Sequence, residues 1–238
     1  MRRVLAVVGI SGAVILALII SLGAWLYFYT ADLPPTAQLK AFNPDSQRKA
    51  RLRSCDGVEQ EVTVLPKEEF RRYAVAAVTA AEGRPHTRSP FLWVIFPENE
   101  QHVASYQVQL ARTLVCSQHG SILKRELQEL RLANAINRKF GPQELLTIYL
   151  NRVYLGSAAY GIEAGAEKYF GKPASQLKLE ETAVLTGMIR SPVYFSPVSH
   201  PDRAAQRRNS ILEGMVGQGS VTQADADHAK AIPIRVLQ

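Results

Sequence analysis

Cysteine is scarce: the 238 residues hold two, Cys55 and Cys116. Two cannot build a disulfide-dense scaffold or a four-cysteine zinc site. The five histidines show no metal-ligand spacing, so no protein-built zinc site is expected. Glycine (15) and proline (13) are ordinary in number and lack periodicity, which excludes collagen-like and low-complexity chains. No internal repeat is visible. Acidic residues are in deficit, 21 against 28 Lys and Arg, for a net charge of +7. That balance favours an anionic partner: a membrane surface, a nucleic acid or a phosphate-bearing substrate. Hydrophobic residues make up 47%, enough to build a core and to exclude wholesale disorder.

Charge is missing altogether from Val4 to Ala31, a run of mostly Val, Leu, Ile, Ala and Gly that ends in Trp25, Tyr27, Phe28 and Tyr29. A helix needs about 20 apolar residues to cross ~30 Å of hydrocarbon. The terminal aromatics suit the membrane–water interface. The run is too long for the roughly 7–15-residue core of a cleaved signal peptide. It also places bulky aromatics where cleavage needs small residues. The reading is an uncleaved single-pass anchor over residues 1–31. Arg2 and Arg3 keep its N-terminus cytoplasmic, and the rest lies on the outer, periplasmic face. A nucleic-acid role is then excluded by location. Exported cysteines are permitted to pair. Closing a loop of about 60 residues would stabilise by roughly 4 kcal/mol. Two unpaired thiols fit the sequence equally well.

Residues 32–65 divide into a proline-bearing linker over 32–46 and a hairpin, Lys49–Cys55 and Val58–Val64 about Asp56-Gly57. Asp-Gly between short alternating runs predicts a two-residue type I′ turn. From residue 66 the chain reads as one mainly α domain to 238. A first helix starts at Pro66, stripes Phe70, Ala74, Ala77, Val78 and Ala81 on one face, and ends at Glu82 before Gly83 and Pro85. Further helices are expected near 100–116, 122–139 (Ser121 as N-cap, Gly141-Pro142 as terminator), 143–152, 158–168, 179–189, 201–216 and 222–230. Tyr149, Tyr154, Tyr160, Tyr169 and Phe170 read as core.

The segment 144–172 runs ELLTIYLNRVYLGSAAYGIEAGAEKYFGK. Leu146, Tyr149, Leu150, Asn151, Tyr154, Gly156, Gly161, Ala164, Tyr169, Phe170, Gly171 and Lys172 fall where glycosyltransferase family 51 places Ile-Leu-Glu-x-Tyr-Leu-Asn, Tyr-Phe-Gly, Gly-(x)-Glu-Ala-Ala and Tyr-Phe-Gly-Lys. Leu179, Glu181, Ala183, Leu185, Pro192, Tyr194, Pro197, Pro201, Ala204 and Arg207 continue the match. The chain therefore resembles the peptidoglycan glycosyltransferase domain of class A penicillin-binding proteins and monofunctional transglycosylases. With the sequence ending at Gln238, the monofunctional form is expected. Upstream the motifs are degenerate. Ala80-Ala81-Glu82 keeps the first catalytic Glu, but Gly83, His86 and Ser89 replace the family's Asp, Phe and His. Gln109 and Leu110 match the second motif, Arg112 stands for its Lys, and its glycines are absent. Arg125 and Glu129 match the third, with Glu126 for its Lys.

The resemblance implies a lysozyme-like helical fold and the joining of lipid-linked disaccharides (lipid II). The 4-hydroxyl of an acceptor attacks C1 of a donor, and a polyprenyl pyrophosphate leaves. The hydroxyl needs a base, and the leaving charge needs cations. On this reading Glu82 and Glu129 are the catalytic carboxylates, Glu82 as base and Glu129 either orienting Arg125 or helping to coordinate a divalent ion. Arg125 and Arg112 hold the pyrophosphate, and Gln109 either contacts substrate or is an ordinary polar helix position. Arg125 and Glu129, at i and i+4, share a helix face. Lys124 points off it, and His86 reads as structural or solvated. No cofactor is built in; the one admitted is a divalent cation, Mg²⁺, carried with the pyrophosphate. The implied partners are lipid II, the nascent glycan strand, the membrane and other cell-wall synthases. Two other readings are a non-catalytic relative that binds the precursor or a synthase as a scaffold, and a lysozyme-type hydrolase.

Overall fold

The computed structural model describes residues 2–29, 31–42, 48–53, 59–66, 68, 70, 72–82, 105–115 and 122–237. Cys55, Cys116, Asp56-Gly57, Ser121 and the stretch from Gly83 through His86 and Ser89 to residue 104 fall outside the described residues. Among the described residues the fold is mainly helical with one two-stranded sheet.

Helix α1 runs Arg2–Tyr29. Val14, Ile15, Leu16, Leu18, Ile19, Ile20 and Leu22 are each more than half exposed. Among the described residues no helix is long and apolar enough to cross a membrane; in α1 the described side chains begin only at Val14. Beyond α1 the expected linker is not free chain. It winds into a 3-10 helix, Thr36–Phe42, that buries Leu39 and Phe42. Two large apolar side chains in so short a segment outweigh the prolines' preference for an extended spacer, because burying each gains about 1.5–3 kcal/mol.

Strands β1 (Lys49–Arg53) and β2 (Glu59–Thr63) form the expected antiparallel hairpin. Its register pairs Arg53 with Glu59 and Lys49 with Thr63. The turn expected on Asp56-Gly57 lies outside the described residues. The observed register keeps Ala50, Leu52 and Val62 buried; a one-residue slip would turn one strand's face to solvent.

Helix α2 runs Arg72–Glu82, ending where expected but starting later than Pro66. The cause is remote in sequence. The buried Asn151 amide donates to the Leu65 carbonyl (2.8 Å) and accepts from the Leu65 N–H (2.8 Å). This pairing fixes Leu65 in irregular chain, and α2 begins after it. The stripe still packs as read, although it faces two ways. Phe70, Ala74 and Val78 enter the main core, while Ala77 and Ala81 enter a second cluster with Ile211, Leu212 and Met215.

Helices α3 (Ser105–Leu114), α4 (Ile122–Lys139), α5 (Pro142–Arg152), α6 (Gly161–Phe170), α7 (Leu179–Met188), α8 (Pro201–Gly217) and α9 (Gln223–Ala231) complete the described fold. The helix expected from 158 begins at Gly161. Residues 156–158 are instead left-handed: Gly156 at φ 82°, Ser157 at 48° and Ala158 at 60°. This turn closes a bridge between Tyr154 and Tyr160, whose rings lie 4.8 Å apart. Tyr154 is consequently 40% exposed rather than core. An L-residue in this region costs roughly 1–2 kcal/mol. Ala158→Gly should therefore stabilise by about 0.5 kcal/mol after glycine's entropy cost, read as a higher unfolding midpoint in detergent. A lower midpoint would show that the turn is unstrained.

Candidate active site

Two antiparallel-neighbour helices build the site. The buried Gln107 of α3 donates from Nε2 to Oδ1 of Asn137 on α4 (2.8 Å), fixing one end of the pair. Near the other end sits Glu129, only 3% exposed in its side chain. Its Oε2 accepts from Arg112 Nε (3.1 Å) and Nη2 (2.9 Å) across the helix boundary. Its Oε1 lies 3.8 Å from Arg125 Nε, one turn earlier on α4. Arg112 Nη1 also donates to Gln109 Oε1 at 3.4 Å. Arg112 and Arg125 remain 46% and 44% exposed.

The physical logic is one-sided burial. A lone buried carboxylate is costly, so it holds its cations tightly. The two guanidinium groups keep their outer donors in solvent. One negative charge against two positive leaves a net cationic patch with planar donors suited to phosphate oxygens. The structure thus gathers Arg112, Arg125, Glu129 and Gln109, four of the five residues singled out from sequence. For the fifth, Glu82, the backbone ends α2 and the carboxyl lies outside the described residues.

The helix end at Glu82 carries a feature missed in the sequence. Arg207 of α8 donates from Nη2 to the carbonyl of Ala81 (2.7 Å) and lies 5.7 Å from the Phe195 ring. It satisfies one carbonyl at the C-terminus of α2 and sets a positive charge against the negative helix end. A second missed cation is Arg152 on α5, 4% exposed. Its Nε donates to Thr113 Oγ1 (3.1 Å), and its guanidinium lies 4.9 Å from the Phe42 ring. Burial lowers its pKa to about 10, with Tyr160 opposing the shift, so it stays charged at neutral pH behind α3. Only its place in an otherwise apolar stretch of α5 could have flagged it.

A divalent cation fits Glu129 poorly. Both carboxyl oxygens are directed at guanidinium groups, and a metal there would sit beside two cations. Among the described residues no group of three His, Cys, Asp or Glu could hold a metal ion. Other motif residues serve architecture. Tyr169 donates its hydroxyl to the Leu155 carbonyl (2.9 Å), Gly171 caps α6 at φ 66°, and Lys172 pairs with Glu181 at 2.7 Å.

Comparison with known proteins adds an independent line. The transglycosylase family profile matches residues 104–216, which hold Arg112, Arg125 and Glu129 but not Glu82. Penicillin-binding protein 1A of Aquifex aeolicus is 31% identical over 97% of this chain and 34% of its own length. Penicillin-binding protein 1A of Vibrio cholerae is 31% identical over 87% of this chain and 27% of its own. A provisionally named transglycosylase of Cupriavidus necator is 35% identical over 58% of this chain and 60% of its own. The chain spans about a third or less of the two penicillin-binding relatives.

Proposed function

We propose, from the premise that this chain carries a transglycosylase domain of glycosyltransferase family 51, that it polymerises lipid II into glycan strands and releases the polyprenyl pyrophosphate. At family level the domain is a peptidoglycan glycosyltransferase; the substrate, leaving group and residue roles are the proposal. The observation that carries it is the buried Glu129 holding two half-exposed arginines.

In this scheme the acceptor 4-hydroxyl oxygen attacks donor C1. The C1–O bond to phosphate breaks as the new glycosidic bond forms, and Glu82 takes the hydroxyl proton. The departing pyrophosphate gathers negative charge, which Arg112 and Arg125 meet with bidentate donors. Glu129 is a positioning residue: it aims both guanidinium groups without touching substrate. Helix α1, 28 residues long and therefore about 42 Å, would anchor the domain on the outer face, beside a lipid-linked substrate and other cell-wall synthases.

A second reading is favoured by one observation. The profile match begins at residue 104, after the degenerate first motif. A relative that binds precursor without turning it over would keep the arginine cluster while the residues around the base diverge, as Gly83, His86 and Ser89 do here. Purified protein with labelled lipid II separates the two. Glycan chains should form, and Glu82→Gln should abolish them. Precursor binding with no polymer would overturn the synthetic reading and leave the scaffold.

A further inference from the structure

One face of α4 is fastened to the exit of α1. Lys124 lies 5.1 Å from the Tyr29 ring, Gln128 donates to the Asp32 carbonyl (3.1 Å), and Arg131 lies 4.5 Å from the Tyr27 ring and donates to the Tyr27 carbonyl (2.8 Å). These three side chains, at i, i+4 and i+7, share one face. Farther along, Lys139 reaches Thr36 Oγ1 at 3.0 Å. The contacts tie α4 to the aromatics that mark a membrane–water interface. At this junction is a notch of about 450 Å³ lined by Leu33, Pro34, Leu114 and Val115 on its apolar side and by Asp32, Lys124 and Gln128 on its polar side.

We propose that this notch is a phospholipid headgroup site, selective for a zwitterionic headgroup with a primary ammonium, such as phosphatidylethanolamine. The proposal rests on the reading of α1 as a membrane anchor. Its chemistry comes from a loosely made pair. Lys124 Nζ and Asp32 Oδ2 are 4.0 Å apart, too far for a hydrogen bond, and the Asp32 side chain is 89% exposed. A phosphate and an ammonium joined by an ethylene bridge can lie antiparallel across such a pair, phosphate on Lys124 and ammonium on Asp32. A trimethylated headgroup has no N–H to donate to the carboxylate. A purely anionic headgroup meets Lys124 but is repelled by Asp32. The apolar wall takes the glycerol end of the acyl chains.

The test uses the full chain. Flotation with phosphatidylcholine vesicles first reports the anchor. Native mass spectrometry of the chain released from micelles holding equal phosphatidylethanolamine, phosphatidylcholine and phosphatidylglycerol then reports the site. Wild type should retain the ethanolamine lipid about tenfold over either competitor, as one charge-assisted hydrogen bond implies. Lys124→Asp and Asp32→Lys should each abolish the preference, and the double exchange should restore it. Flotation with unselective retention, or selectivity untouched by the single changes, would overturn the site alone. Failure to float would overturn the anchor and the site with it.

Discussion

Arg125→Ala is expected to lower the polymerisation rate by about 10²–10³-fold, the usual loss when one preorganised donor to a developing charge is removed. The unfolding midpoint should hardly move. Among the described residues Arg125 makes one ion pair, at 3.8 Å, with 44% of its side chain exposed. Solvent-screened pairs of this kind contribute at most ~1 kcal/mol. Arg112→Ala should lose as much rate and also about 2 kcal/mol of stability, because it removes both hydrogen bonds to a buried carboxylate. Arg125→Lys should recover only a small part of the rate, since a point charge cannot reproduce the planar fork. Rate and denaturation measured side by side decide the matter. An Arg125→Ala enzyme with wild-type turnover would remove the pyrophosphate role.

Asn151→Leu should cost roughly 2–5 kcal/mol, enough to unfold many domains outright. The substitution keeps the bulk but orphans a buried N–H and a buried carbonyl on Leu65, at ~1–3 kcal/mol each. Gly161 works on the same junction. Its φ is +84°, and an added Cβ would lie 2.7 Å from the Asn151 carbonyl oxygen. Gly161→Ala should therefore destabilise by a similar amount. The double variant should fall short of the sum, because both act on Asn151, one on its side chain and the other on its backbone. Additive losses in chemical denaturation would show that the two sites are independent.

Much of this architecture was legible. Helix α4 occupies the expected 122–139 because Gly141 and Pro142 end it on local chemistry alone. The start of α2 was not legible, because the side chain that fixes Leu65 is 86 positions away. The left-handed turn at Ser157 and Ala158 was missed for a related reason: neither residue advertises a positive φ. The site divides the same way. The i,i+4 pairing of Arg125 with Glu129 is written in the spacing. The stronger partner, Arg112, stands 17 positions away on another helix. Nothing in a charged residue's name announces that it is almost wholly buried, and that burial is what turns a surface ion pair into a clamp.

Helix α2 is gripped along two edges, by the main core on one and by the α8–α9 cluster on the other, with Arg207 holding its end. A rod held that way can neither roll nor slide without loosening both grips at once. Any rearrangement of the C-terminal helices would therefore be felt along the whole of α2, up to the backbone at Glu82 where that rod ends.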